Sequence, residues 1–203
     1  MGKDSDLEQT LRPVVEVLER LLVPCYVGGS VASSSYGEPR TTLDIDLVAD
    51  LRAEHIGAFT GSLEENFVLN TEAVAESVRN RGCFNMIHKE TIFKVDVLLS
   101  QGTEYAECAL QRRRRENAFA GLPVYFATVE DTIFAKLSRY RQGGEVSQTQ
   151  WHDIQGMLRM QKHRLDTTCL LKWTAKPGSA NLLVRAYREA ENLDEFDRGD
   201  ADV

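Results

Sequence analysis

The sequence predicts an α+β fold, in which a mixed sheet flanked by helices is followed by a C-terminal helical lobe. Apolar and polar residues alternate at 43–47 and 91–99, as they do in half-buried strands. From Thr128 onward, apolar residues recur at helical spacing instead. These patterns predict two domains, an α/β domain over residues 1–127 and a helical lobe with an acidic tail over 128–203.

The composition indicates a globular protein with an acidic surface. A chain of 203 residues can bury one large core, or a core and a helical lobe. The net charge of −7 opposes broad binding of nucleic acid but allows a local basic patch. Four widely spaced cysteines predict free thiols in a reducing compartment. With no signal-peptide pattern and no membrane-spanning run, we expect a cytoplasmic protein without a membrane partner.

The elements of the first domain follow from periodicity and from helix-breaking residues. Asp6–Leu22 carries apolar residues at helical spacing, and Pro24 ends this helix. Strands are predicted at 25–27, 43–47, 66–70, 83–88 and 91–99, and further helices at 52–65 and 72–80.

The second domain is predicted to be helical throughout. Thr128 is an N-cap residue followed by acids in the first turn, and the helix that it opens extends to about Arg141. Ser147 and Asp166 cap two further helices. A last helix is predicted at 181–191, with a frayed and solvated acidic tail from Glu189.

A glycine pair follows the first predicted strand. Gly28 and Gly29 permit positive φ and a close approach of the backbone to a ligand. The chain then enters a helix, whose first N–H groups attract anions. Ser30 can cap this helix or bond a phosphate oxygen. Residues 28–30 therefore predict a phosphate-binding turn.

Two acids lie on the next predicted strand. Asp44 and Asp46 share one face, because side chains two apart on a strand point the same way. Two adjacent carboxylates raise each other's pKa unless a cation lies between them. Oxygen-only ligands of this kind suit Mg²⁺, so the pair predicts a magnesium site.

In this order, the motifs resemble the nucleotidyltransferase superfamily with the polymerase-beta-like catalytic core. The resemblance rests on G-G-S at 28–30 and G-E-P-R-T-T-L-D-I-D-L at 37–47. Within that superfamily the chain is similar to the compact prokaryotic enzymes grouped with AbiEii-type and MenA-type toxins. The resemblance implies that residues 1–127 form the catalytic core and that Gly28, Gly29, Ser30, Arg40 and Thr42 bind the nucleotide.

The resemblance also implies a third carboxylate, which it assigns to Asp96 on the strand at 91–99. An acid in an apolar strand is unfavourable unless it is paired or binds a metal. The alternative is that Asp96 forms a salt bridge with Lys94 or with an arginine. In the family, Asp44 and Asp46 would bind two Mg²⁺ ions (or Mn²⁺), and Asp96 would bind one of them.

In the helical lobe, the resemblance assigns the completion of the nucleotide site to Lys136 and Asp153. The alternatives are a surface lysine beside apolar Phe134 and Leu137, and a helix aspartate paired with an arginine. Both alternatives remain open on the sequence alone.

Four consecutive arginines occupy 112–115, within a stretch (111–119) predicted as one arm of a hairpin around Gly121. Such a run is typical of a solvated face. Guanidinium groups also match phosphates, so the run could hold a triphosphate or an RNA backbone. The sequence favours neither the solvated face nor the phosphate-binding role over the other.

The activity that the resemblance implies is transfer of a nucleoside monophosphate from an NTP to an acceptor hydroxyl. Candidate acceptors are the 3′ end of an RNA such as tRNA, a small molecule, or a protein side chain, and an antitoxin is a candidate partner. The alternative is a non-catalytic protein of the same fold, which binds a nucleotide or acts as an antitoxin-like interaction module.

Overall fold

The computed structural model describes residues 3–119, 122–175 and 179–199. The chain forms two compact units. The first comprises the residues up to Ser30 together with Thr41–Ala127, and the second comprises Val31–Arg40 together with the residues from Thr128 onward. The predicted α+β class, with a mixed sheet followed by helices, is confirmed.

In the described part of the first unit, seven strands form one sheet with the order β3-β4-β5-β2-β1-β7-β6. At its centre, β2 pairs in parallel with β5 and antiparallel with β1. The strands are β1 Cys25–Val27, β2 Asp44–Ala49, β3 Phe67–Val68, β4 Cys83–His88, β5 Lys94–Leu99, β6 Arg114–Phe119 and β7 Leu122–Phe126.

The two central strands bury one face completely. Alternate residues of β2 and β5 are at most 1% exposed, namely Ile45, Leu47, Val95 and Val97. Because side chains alternate along a strand, the residues between them lie on the opposite face. Burial of the apolar set thus fixes which side of the sheet carries the acids.

Four helices and a short 3₁₀ turn at Ala53–His55 complete the described part of the first unit. The helices are α1 Lys3–Arg20, α3 Ile56–Leu63, α4 Thr71–Asn80 and α5 Glu104–Arg112. Another helix, α2 Gly29–Tyr36, begins in this unit, and its residues from Val31 belong to the second. Within the first unit α1 packs against α3, so that Leu11, Leu18 and Phe59 are fully buried.

Helix α5 was not predicted, and it changes the interpretation of the arginine run. The strand predicted from Gln111 is wrong for its first residues, since Gln111 and Arg112 end this helix and β6 begins at Arg114. The signal for the helix is present: Thr103 caps it by accepting a hydrogen bond from the Ala106 N–H, and acids follow in the first turn. The predicted turn at Gly121 lies outside the described residues.

The described part of the second unit continues with four helices, α6 Val129–Gln142, α7 Gln148–Met160, α8 Thr167–Ala175 and α9 Ala180–Gly199. Helix α7 packs against α6 and α9 around a core that includes Ile133, Ile154 and Ala186, all fully buried. Nowhere in the described ranges is a helix both long enough and apolar enough to cross a bilayer.

The expectation that the tail frays from Glu189 is wrong as far as Gly199. Helix α9 continues through Gly199, and the Glu189 carboxylate accepts hydrogen bonds from the Trp151 indole (2.6 Å) and the Gln155 amide (2.9 Å). Burial would raise the pKa of Glu189, but hydrogen bonds from Arg185 and Trp151 outweigh it and lower the pKa. The carboxylate therefore connects α9 to α7, although the Glu189 side chain is still 38% exposed.

Candidate functional site

The candidate residues form two groups, one in each unit. In the first unit, four charged side chains share the open face of β2 and β5. Asp44 is paired in register with Lys94, and Asp46 with Asp96. All four lie opposite the buried apolar set, so the three carboxylates that the sequence analysis singled out share one face of neighbouring strands. Their catalytic role stays a prediction.

Lys94 connects two of these carboxylates. Its Nζ lies 2.9 Å from Asp96 Oδ2 and 3.3 Å from Asp44 Oδ1. The hydrogen bond to Asp96 is the main cause of a raised pKa for Lys94, so the ammonium stays charged. Among the described residues, no group of three or more Asp, Glu, His or Cys side chains is arranged to hold a metal ion. In this structure the cation at the carboxylates is Lys94.

The glycine turn lies directly against Asp46. Gly28 donates its N–H to the Asp46 carbonyl oxygen at 2.9 Å, and so it extends the β1–β2 pairing. Gly29 has φ of 57°, and a Cβ added there would be 1.7 Å from Asp46 Oδ2. Only glycine therefore fits at this position, and α2 begins at that residue. The first turn of a helix presents N–H groups without intrahelical partners, here next to the Asp46 carboxylate.

Replacing Gly29 with alanine is expected to destabilise the protein by about 1–3 kcal/mol, because the new methyl group meets Asp46 and the backbone must keep a positive φ. Urea unfolding measures this loss. Gly61→Ala in α3 is the matched control, since a Cβ there meets nothing within 4 Å. The control is expected to gain about 0.5–1 kcal/mol, and equal effects of the two substitutions would contradict this account of Gly29.

Thr42 bonds the backbone of Asp44. Its hydroxyl donates to the Asp44 carbonyl oxygen (3.1 Å) and accepts from the Asp44 N–H (3.2 Å). These bonds fix the entry into β2 and thus the position of the first acid.

In the second unit, Asp153 on α7 forms ion pairs with two basic side chains. Arg40 donates through Nε to Oδ1 (3.0 Å) and through Nη2 to Oδ2 (3.1 Å), and Lys136 Nζ on α6 lies 2.7 Å from Oδ2. The side chains of Asp153 and Lys136 are 4% and 3% exposed, whereas that of Arg40 is 31% exposed. Lys136 is therefore not a surface lysine, and Asp153 is indeed paired with an arginine.

The segment that carries Arg40 packs closely on α7. A Cβ on Gly37 would lie 2.9 Å from the Met157 backbone nitrogen, so glycine allows this approach. Glu38 accepts a hydrogen bond from His152 at 2.7 Å and also pairs with Arg159. These contacts hold the chain that leads to Arg40 against the helix that carries Asp153.

The pH dependence of the Asp153 group has a definite sign. Burial would raise the pKa of Asp153, but hydrogen bonds from Arg40 and Lys136 outweigh it and hold the pKa below its ordinary value of 3.8. A lowered pKa in the folded state stabilises the fold above the unfolded value, and this stabilisation is lost as the pH falls through the folded pKa. We expect the difference in unfolding free energy between wild type and Asp153→Asn to be largest at neutral pH and to shrink below pH 3.8. Urea unfolding across that range measures it, and a difference that grows with acidity would contradict the pairing.

The arginine run is divided between elements. Arg112 ends α5, and the Arg113 guanidinium lies over the Tyr125 ring at 4.5 Å. Arg114 and Arg115 are exposed on β6, an edge strand three positions from β2 in the sheet. Charged residues on an edge strand discourage pairing with other chains. This arrangement favours the solvated-face interpretation over a phosphate site beside the acids.

No protein-family model and no curated protein sequence matches the chain. Solved structures do match its fold. An antigenic nucleotidyltransferase-like protein from Paracoccidioides brasiliensis gives a TM-score of 0.54 at 17% identity, over 91% of this chain and 93% of that protein. The antibiotic-resistance factor ANT(2'')-Ia gives 0.53 at 16% identity, over 97% and 98%. A second structure of ANT(2'')-Ia, in complex with adenylyl-2''-tobramycin, gives 0.50 at 13% identity, over 89% and 96%.

The chain has a nucleotidyltransferase fold. The resemblance inferred from the G-G-S and D-x-D motifs is thus confirmed for the fold. Within this nucleotidyltransferase fold, the sequence by itself indicates Lys94 only as a partner of Asp96. Its spacing of two residues from Asp96 predicts their shared face, but its contact with Asp44 depends on the parallel pairing of β2 and β5. Pairing of distant strands has no local sequence signal.

Proposed function

We propose that the chain is a metal-dependent nucleotidyltransferase, an enzyme of the EC 2.7.7 type. It would transfer a nucleoside monophosphate from an NTP to an acceptor hydroxyl and release pyrophosphate. One observation carries the proposal: Asp44, Asp46 and Asp96 share one face of adjacent parallel strands, and Asp46 lies against the Gly29 turn. A protein that only binds a partner has no need of three carboxylates on one face of two neighbouring strands.

The chemistry of the three side chains, though not their arrangement around Lys94, fits a hard divalent cation. The donors are carboxylate oxygens, which Mg²⁺ prefers and Mn²⁺ accepts. The ammonium of Lys94 between Asp44 and Asp96 indicates that a cation is favourable at this face. Carboxylate oxygens of Asp44, Asp46 and Asp96 would supply the protein ligands for divalent metal, which when bound supplies Lewis-acid stabilisation of charge on the phosphate oxygens.

The remaining steps use groups of the chain itself. The backbone at Gly29 and Ser30, at the first turn of α2, would bind the β- and γ-phosphates through N–H groups. The Asp96 carboxylate would accept the proton of the acceptor hydroxyl. The acceptor oxygen then bonds to the α-phosphorus, and the bond to the bridging oxygen breaks, so that pyrophosphate leaves.

Four of the residues implied by the resemblance have more specific roles in this proposal. The guanidinium of Arg40 is the exposed member of the Asp153 group and would neutralise charge on the nucleotide phosphates. Lys136 and Asp153 are almost fully buried, so they would act by positioning Arg40. Thr42 would position Asp44 through the backbone and would not touch the nucleotide.

Among the candidate acceptors, the proposal favours small hydroxylated molecules. This class includes cationic molecules. The net charge of −7 opposes binding of an RNA backbone, and the exposed arginines lie on the edge strand β6. ANT(2'')-Ia, which shares this fold, has been crystallised with adenylyl-2''-tobramycin. The described residues offer no comparable argument for an RNA end, a protein hydroxyl or an antitoxin partner.

The test is a labelling experiment with each NTP in turn, carrying radioactive α-phosphate, in the presence of Mg²⁺. The acceptors are a panel of hydroxylated small molecules that includes tobramycin, total RNA, and cell-lysate protein. Transfer of label to a small molecule, with release of pyrophosphate, is expected. Label in RNA or protein would overturn the acceptor but keep the reaction. No pyrophosphate release and no Mg²⁺-dependent NTP binding would overturn the enzyme and favour a non-catalytic binding module.

A further inference from the structure

Lys94 places a positive charge among the very carboxylates that would hold a metal. We propose that its ammonium takes the position of one of the two divalent ions that the fold resemblance implies, so that the wild-type site binds a single divalent ion. This inference rests on the proposed function. It concerns how many ions the site takes and which residue limits that number.

The contacts of Lys94 carry the inference. Its Nζ bridges Asp96 Oδ2 at 2.9 Å and Asp44 Oδ1 at 3.3 Å, so one ammonium occupies oxygens from both strands. A divalent ion that bridged Asp44 and Asp96 would need these same oxygens. Like charges at such separations repel strongly, so the ammonium and that ion exclude each other.

The strand geometry keeps Lys94 in place. Lys94 is directly opposite Asp44 in the parallel pairing of β2 and β5, and it shares a face with Asp96 two residues later. Lys94 is the first residue of β5 and its side chain is 38% exposed, so it reaches the carboxylates along the open face of the sheet. The bridge is thus a consequence of the sheet register.

The inference places the divalent ion beside Asp46, which is not one of the two carboxylates that Lys94 bridges. Asp46 lies against the Gly29 turn, where the helix N-terminus would bring the phosphates. A single ion there can bind a carboxylate and phosphate oxygens together. The ammonium of Lys94 then supplies the second positive charge near the attacking hydroxyl and holds Asp96 in place.

The experiment is a titration of the full chain with Mn²⁺, followed by the electron paramagnetic resonance signal of free Mn²⁺, with and without a non-hydrolysable NTP analogue. Lys94→Met and Lys94→Gln remove the ammonium, and Lys94→Arg keeps a positive charge. Lys89→Met is the matched control for net charge, since Lys89 lies in the β4–β5 connection and its ammonium bonds the backbone carbonyl oxygens of Glu64 and Glu65. Circular dichroism confirms folding of each variant.

Wild type, Lys94→Arg and Lys89→Met are expected to bind one Mn²⁺ per chain. Lys94→Met and Lys94→Gln are expected to bind a second Mn²⁺. The affinity for this second ion should be at least about tenfold higher than any affinity of wild type for a second ion. Two ions in wild type, or equal stoichiometry and affinity in wild type and both neutral variants, would overturn the inference but leave the proposed function intact. Failure of every variant to bind Mn²⁺, even with the analogue, would overturn both.

Discussion

Asp46→Asn is expected to lower the rate of nucleotidyl transfer by about 1,000-fold. Asparagine keeps the shape of the side chain, so the close contact with Gly29 persists, but the charge that would bind the metal is lost. Single-turnover measurements with labelled NTP give the rate, and urea unfolding shows whether the fold is kept. The fold should be retained, because Asp46 lies on the open face of the sheet and not in the core.

Asp50→Asn is the matched control for Asp46→Asn, since Asp50 directly follows the same strand. Its carboxylate pairs with Arg52 and Arg81, and burial is outweighed by hydrogen bonds from these arginines, which lower its pKa. This variant should transfer nucleotide at the wild-type rate and lose at most about 1 kcal/mol of stability. If Asp46→Asn kept more than about a tenth of the activity, the carboxylate would not have the role assigned to it.

Asp153→Asn is expected to destabilise the protein by about 3 kcal/mol. The Lys136 ammonium, 3% exposed, would then lack its carboxylate partner in a buried position. Removal of the carboxylate from a buried ion pair is among the few causes of so large an effect. Urea unfolding at neutral pH measures the loss, which should be accompanied by weaker NTP binding because Arg40 loses its anchor.

Adding Lys136→Met to Asp153→Asn separates the buried charge from other effects of the substitution. The double variant no longer carries the buried ammonium that has lost the Asp153 charge, so we expect it to be more stable than Asp153→Asn alone. Lys136→Met by itself should have a smaller effect, since Asp153 keeps both hydrogen bonds from Arg40. A double variant less stable than Asp153→Asn would show that Lys136 is not held there by the charge of Asp153.

Local patterns were enough to find the acids and the turn. The alternation around Asp44 and Asp46, and the strand that ends before the glycine pair, are set by residues close in sequence, and the structure has them where the pattern indicated. The parallel pairing of β2 with β5 depends on which distant strands meet, so the bridge from Lys94 to Asp44 had no local signal. The sheet face itself could still be predicted.

Two further features of the structure could not be predicted from the periodicity of apolar residues. Helix α5 follows from the cap at Thr103 and the acids after it, but the neighbouring arginines drew the interpretation toward a strand. The burial of Lys136 could not be predicted either, because a lysine between apolar residues looks the same in sequence whether its ammonium is solvated or meets Asp153. Both outcomes were decided by tertiary contacts.

The most direct test of the central claim is calorimetric titration of a non-hydrolysable NTP analogue into wild type, Asp96→Asn and Asp50→Asn, each with and without Mg²⁺. We predict binding to wild type and Asp50→Asn only when Mg²⁺ is present, and binding at least about tenfold weaker for Asp96→Asn. Tight binding of the analogue without Mg²⁺, or equal affinity of wild type and Asp96→Asn, would contradict the claim that the three carboxylates of this sheet face form a metal-dependent nucleotide site.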